Sequence, residues 1–304
     1  MLDLLSLLPV VGGGAVGVAG LYGALMLLLF AYQRRLIFHP SPTVTRTPAD
    51  LGLAYDVIQL PYDQGREWVQ GWWIPSDRPQ APTVLYLHGN GINMGANVDA
   101  AGRFHALGLS VFMIDYRGYG ESSGGFPSEQ RVYEDADRAW HYLTDQRQIA
   151  PEQMVLYGHS LGGAIAIELA TRHPDAGGLV IESSFTSMRE MVTRATVYDR
   201  LFPIDWILTQ RFDSLTKVRS LKSPVIYIHG TADPVVPSDL SAVLYDATAS
   251  PAELVWIPGA DHNNVAEVGG DRYRTALIQW LRSHYPNADR LDTYKTSPAS
   301  NVAC

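Results

Sequence analysis

Hydrophobic and polar positions divide the chain into regions of different rhythm. From Leu4 to Gln33 there are 30 residues without a charge, mostly Leu, Val, Ala and Gly. A hydrocarbon core of ~30 Å is crossed by about 20 helical residues, so this run predicts an N-terminal transmembrane helix. Pro40, Pro42 and Pro48 then mark an extended connector. Apolar residues alternate over 55–60, and with a turn at Asp63-Gln64-Gly65 and a strand-like run at 67–74 this predicts a strand pair. Beyond Pro82 short apolar runs appear at 83–88, 110–115, 154–158, 179–182, 225–229 and 254–257. Runs this continuously apolar belong to strands buried on both faces. Between them lie amphipathic, helix-like segments at 97–107, 129–147, 161–173, 238–247 and 273–284. The alternation predicts an α/β fold with a mostly parallel, doubly wound sheet. The expected organisation is an anchor over 1–35, a connector over 36–53, one α/β domain over 54–285 and a tail over 286–304.

Charge and composition sharpen this picture at three points. Lys and Arg number 23 against 31 Asp and Glu, a formal charge of 23 − 31 = −8, and the expected α/β domain carries no basic run. Nucleic acid is therefore excluded as a partner. The single cysteine, Cys304, rules out an intramolecular disulfide. Before the uncharged run stand only Asp3 and the amino terminus, whereas Arg34 and Arg35 follow it directly, with Arg46 close behind. An acidic leader and so long an apolar run argue for an anchor over a cleaved signal peptide. The basic residues place the catalytic part on the cytoplasmic side of a single-pass membrane protein. Gly13 and Gly17 form a G-x-x-x-G pair, a weak signal in so glycine-rich a span.

Two stretches match G-x-S-x-G, the pattern of a nucleophilic serine on a tight strand-to-helix turn: GESSG around Ser122 and GHSLG around Ser160. Ser160 follows the strand-like Met-Val-Leu-Tyr and precedes the helix-forming Leu-Gly-Gly-Ala-Ile-Ala-Ile-Glu-Leu-Ala. Ser122 is followed by Ser-Gly-Gly-Phe-Pro, which cannot open a helix directly. Ser160 is the candidate nucleophile, and Ser122 belongs to a glycine-rich loop.

A serine hydroxyl needs a base to take its proton. In open α/β sheets the reactive groups gather beyond the carboxyl ends of the strands. Of nine histidines, His105, His141, His173 and His284 fall on or at the ends of helices, and His39 follows the anchor. His159 is expected to point away from its neighbour Ser160. His88 and His229 end strands before glycines, where histidine usually bonds loop backbone. His262, in the loop between the last strand and last helix, is the candidate base. Asp233, past the preceding strand, is the candidate acid, ahead of Glu182; Asp261 is too close in sequence to His262 to orient its ring. The order Ser160, Asp233, His262 is that of the α/β-hydrolases. Backbone N–H groups of Leu161 and of Asn90, in His88-Gly89-Asn90-Gly91, are expected to bind a tetrahedral oxyanion.

HGNG, DYRGYGESSG, GHSLGG, HGTADPVVP and the DHNN loop, in this order over residues 55–285, make the chain similar to the α/β-hydrolase superfamily. The N-terminal span, QRRLIFHP and GWWIP resemble the membrane-anchored alpha/beta-hydrolase-domain group that includes protein depalmitoylases. The resemblance implies hydrolysis of an ester, thioester or amide through an acyl-enzyme, with Ser160, Asp233 and His262 as triad and Asn90 and Leu161 as oxyanion donors. No cofactor and no metal is expected. The resemblance also makes residues 186–221, rich in Met, Phe, Trp and Ile, a short cap over the site. An apolar pocket there suits lipid-like esters or acylated proteins at a membrane. Amidase, peptidase or acyltransferase chemistry, and a non-catalytic tethered binding protein, are the other readings.

Overall fold

A computed structural model describes residues 4–285. Its centre is an eight-stranded sheet. The strands are β1 (Asp56–Tyr62), β2 (Glu67–Ile74), β3 (Thr83–Leu87), β4 (Ser110–Asp115), β5 (Met154–His159), β6 (Gly178–Glu182), β7 (Val225–Gly230) and β8 (Ala252–Ile257). Their order is β8-β7-β6-β5-β3-β4-β2-β1. Only β1–β2 and β2–β4 pair antiparallel; every other neighbour is parallel. Parallel strands need crossovers, and the amphipathic segments supply them as α2 (Val98–Ala106), α3 (Glu129–His141), α4 (Leu161–Arg172), α9 (Asp239–Ala247) and α10 (Val265–His284), with α1 and α5 to α8 given below.

The continuous apolar runs are explained by burial on both faces. In β3, Leu85 and Leu87 join a core with α3, α4 and α9, while Val84 and Tyr86 join the opposite core with α2 and α10. Each such fully buried side chain contributes roughly 1.5–3 kcal/mol. Helix α4 is buried along nearly its whole length because it is apolar all round.

Two boundaries differ from the sequence pattern. Helix α3 ends at His141 in a wide turn, Tyr142–Gln146, which keeps Tyr142 and Leu143 buried. Helix α10 starts at Val265 rather than 273 and breaks at Gly270, whose φ of 45° interrupts the helical periodicity.

Residues 186–221 fold into four short helices, α5 (Met188–Ala195), α6 (Tyr198–Leu201), α7 (Ile204–Ile207) and α8 (Ser214–Val218). Ile204, Leu208, Phe212 and Val218 pack into the main core, so much of the expected cap rests on the domain. Trp206 is 82% exposed.

Helix α1 runs Leu4–Ile37. Among the described residues no helix is long and apolar enough to cross a membrane, which does not bear out the expected transmembrane helix. The described half of α1 carries polar groups committed to the domain: Tyr22 donates to the Leu201 carbonyl at 2.8 Å and Gln33 Nε2 to the Ile207 carbonyl at 3.0 Å. Residues 1–3, the side chains of 4–16, the Gly13/Gly17 pair, the tail 286–304 and Cys304 lie outside the described residues.

Candidate active site

At the end of β5 the chain turns sharply into α4, and Ser160 takes φ 54°, ψ −119°, a conformation that strains any residue with a Cβ. The turn closes only because its neighbours lack side chains. A Cβ on Gly158 would lie 2.2 Å from the Gly162 carbonyl oxygen, and one on Gly162 would lie 2.0 Å from that of Leu87. Three bonds fix the strained residue: Ser160 N–H donates to the Glu182 carbonyl at 2.9 Å, and its own carbonyl accepts from Ser184 Oγ at 2.9 Å and Gly163 N–H at 3.0 Å. Ser122, by contrast, is buried, donating to the Asp115 carbonyl at 2.5 Å and accepting from Gln70 N–H at 2.8 Å. It ties a loop to β2.

The loops after β7 and β8 bring Asp233 and His262 together, with His262 Nδ1 2.7 Å from Asp233 Oδ2. That contact places the proton on Nδ1 and leaves Nε2 as the basic nitrogen. Asp233 Oδ1 accepts from the Val235 and Val236 N–H groups, both at 2.8 Å. His229 Nε2 lies 3.1 Å from Asp233 Oδ2 and 3.0 Å from the Val236 carbonyl, while its Nδ1 lies 2.6 Å from Ser241 Oγ. Facing two acceptors, Nε2 carries the hydrogen, and Nδ1 accepts from the serine. Burial pushes the Asp233 carboxyl up, but His229, His262 and the Val236 N–H outweigh it and hold the carboxyl well below the usual range. It stays ionised.

The competing acids are occupied elsewhere. Glu182 Oε2 accepts from Tyr273 at 2.8 Å, and Asp261 Oδ1 accepts from Asn263 and Asn264 N–H within its own turn. His88 bonds loop backbone as expected, with Nδ1 2.7 Å from the Gly89 carbonyl. His159 does not point away. Its Nε2 lies 2.9 Å from the His262 carbonyl and its ring packs 4.8 Å from that of His262. The side chain at the x position projects across the turn and pins the histidine loop. Burial lowers its pKa and keeps the ring neutral.

The loop after β3 runs past the serine: a Cβ on Gly89 would lie 3.5 Å from Ser160 Cβ. Asn90 is held by its carbonyl, which accepts from His39 N–H at 2.9 Å and from Tyr119 at 2.8 Å. Leu161 opens α4, where the first N–H groups have no intrahelical partner.

Ser160 and Asn90 line two unlike cavities. One, of about 790 Å³, has a mixed wall, with Arg103, Glu182, Glu267, Asn263 and His262 beside Tyr86, Tyr157 and Val235. The other, of about 140 Å³, is bounded by Leu36, Ile37, Leu161, Phe185, Met188 and Met191.

Comparison with known proteins gives this geometry a lineage. A family model described as serine aminopeptidase, S33, matches residues 78–217. An uncharacterized protein of Mycobacterium tuberculosis is 35% identical over 90% of this chain and 94% of its own. Protein bem46 of Schizosaccharomyces pombe is 31% identical over 87% of this chain and 91% of its own. The chain belongs to the α/β-hydrolase family. Within it this hydrolase falls in the alpha/beta-hydrolase-domain group, being 32% identical to alpha/beta hydrolase domain-containing protein 17B of Xenopus laevis over 67% of this chain and 68% of that one. An esterase of Pyrococcus furiosus shares its fold at TM-score 0.68 and 20% identity, over 82% of this chain and 97% of the esterase.

Sequence reasoning missed His229, His159 and Ser184 in the hydrolase. His229 stands four residues before Asp233 at a strand end, a spacing that could have flagged it; nothing local marks the other two. Among the described residues one group of metal-type donors converges, Asp137, His141 and His173, within 4.8 Å. It could hold a divalent cation, but His173 sits at the far end of α4 from Ser160 and already pairs with Asp137 at 2.7 Å.

Proposed function

We propose that this hydrolase cleaves carboxylic esters or thioesters through an acyl-enzyme, with Ser160 as nucleophile, His262 as general base and acid, and Asp233 as the orienting carboxylate. The observation that carries this is the strained Ser160 turn sharing a cavity with His262, whose ring is set by a buried, ionised Asp233. Nε2 takes the hydroxyl proton as Oγ attacks the carbonyl carbon, and returns it to the leaving group as the tetrahedral intermediate collapses. Asn90 and Leu161 N–H groups stabilise the oxyanion. Water, activated by the same imidazole, then attacks the acyl-serine and restores the hydroxyl.

The apolar cavity suits the acyl group, and the larger, mixed one the leaving group. The charged and amide side chains in the larger cavity and the family model's peptidase description favour amide substrates as the second reading. The uncharged run near the N-terminus supports action beside a membrane, with the domain on the cytoplasmic side and lipid-like esters or acylated proteins as substrates. Fluorophosphonate labelling tests the nucleophile: wild type is labelled and Ser160→Ala is not. A label surviving in Ser160→Ala overturns the assignment. Paired ester, thioester and amide substrates of one acyl group then rank the three bond types.

A further inference from the structure

The apolar cavity is not built by the α/β domain alone. One wall is the last turn of α1, through Leu36 and Ile37; the others are the loop carrying Asn90 and the cap residues Met188 and Met191. That turn is also tied to the oxyanion loop. Asn90 Nδ2 donates to the Ile37 carbonyl at 2.9 Å, and the Asn90 carbonyl accepts from His39 N–H at 2.9 Å. His39 and Pro40 then pair in parallel with Gly91 and Ile92. Gln33 anchors the turn to the cap: besides donating to the Ile207 carbonyl, its Oε1 accepts from Thr209 N–H at 2.8 Å. Phe38 is buried against Phe212, with ring centroids 6.0 Å apart.

We propose that the last turn of α1 is a working part of the acyl site. Leu36 and Ile37 line the seat of a straight acyl chain, and the Ile37 carbonyl with His39 N–H positions Asn90 so that its backbone N–H meets the oxyanion. This rests on the serine-hydrolase reading and adds the acyl class. A cavity of about 140 Å³ is small and admits a short acyl chain. Leu36 is 56% exposed, so it stands where the cavity meets the surface. Chains longer than this emerge beside α1, the element that leads back to the uncharged run. One helix end then couples the N-terminal segment to both specificity and transition-state binding. Displacing the turn opens the acyl seat and frees the oxyanion donor together.

The test uses the full chain and p-nitrophenyl esters from acetate to octanoate. Leu36→Trp, at an exposed position that tolerates bulk, narrows the seat: kcat/KM for hexanoate is expected to fall about 10-fold or more relative to acetate, since a pocket discriminates single methylenes by roughly 10-fold upward. Asn90→Ala keeps the backbone N–H but cuts its tie to Ile37. Its kcat is expected to fall about 10- to 100-fold with KM little changed, because small misplacements near the reacting atoms cost up to ~10²-fold. Melting temperatures are measured alongside. An unchanged hexanoate-to-acetate ratio in Leu36→Trp, or a wild-type kcat in Asn90→Ala, overturns the proposal. Fluorophosphonate labelling of Ser160 in the same samples reports separately on the hydrolase reading, so failure of one is distinguishable from failure of the other.

Discussion

Asp233 collects four donors on two oxygens: His262, His229 and the Val235 and Val236 N–H groups. A carboxylate so served is preorganised to receive the imidazolium, and its depressed pKa follows from the same contacts. Because the folded pKa lies below the unfolded value of about 3.9, this group stabilises the fold fully above that value and loses its contribution as pH falls below it. Urea denaturation from pH 6 to pH 3 is expected to show a steeper acid loss in wild type than in Asp233→Asn; equal slopes would refute the linkage. His229 serves by holding Asp233, so His229→Phe leaves that carboxylate one donor short and Ser241 without its acceptor. A stability loss of about 1–3 kcal/mol is expected. A kcat decrease should accompany it, with Ser160 still labelled; denaturant midpoints and steady-state rates check the two effects.

Strands and helices do the positioning. Ser160, Asp233 and His262 each stand just beyond the carboxyl end of a parallel strand, β5, β7 and β8, so one edge of the sheet brings together residues far apart in the chain. The turn between β5 and α4 tolerates no side chain at Gly162, where the obstacle is the Leu87 backbone rather than a movable side chain. Gly162→Ala is therefore expected to cost more than about 3 kcal/mol, in the range of severe overpacking, or to prevent folding. A variant as stable as wild type in a thermal melt would contradict that. Farther along, Arg117 Nε meets Asp135 Oδ1 at 2.6 Å with both side chains buried, joining the loop after β4 to α3. Burial raises the Asp135 carboxyl to about 6 even though Arg117 lowers it. Asp135→Ala removes the partner of Arg117 Nε and of the Arg117 N–H but leaves Nη2 paired with Glu134 at 2.7 Å, and is expected to destabilise by roughly 1–3 kcal/mol, measured by denaturant midpoint.

At the scale of the molecule, the α/β domain and the N-terminal helix meet at Ser160. The sheet's edge brings Ser160, Asp233 and His262 to one side and bounds the larger cavity with α2; α1 and the cap complete the apolar one. If the uncharged run holds the enzyme at a bilayer, the full chain is expected to float with neutral phosphatidylcholine vesicles in high salt. A chain lacking residues 1–30 keeps Gln33 and its ties to the cap and is expected to remain in solution. Equal flotation of the two, or none by either, would remove the membrane from the functional reading.

The α/β fold class, the strand-to-helix turn at Ser160 rather than Ser122 and the pairing of Asp233 with His262 were legible because each rests on local rules. Strand-then-helix context, glycines flanking a serine and residue order along an alternating chain need no knowledge of distant contacts. The role of His159 and the part of α1 in the acyl cavity were not legible. Those contacts join residues separated by as many as 177 positions, as from Gln33 to Gln210, and no period or motif relates such partners. The chain's own order determined which chemistry could assemble. Packing between distant segments decided the cavity in which it works, because a cavity belongs to no single segment and forms only when several close on one another.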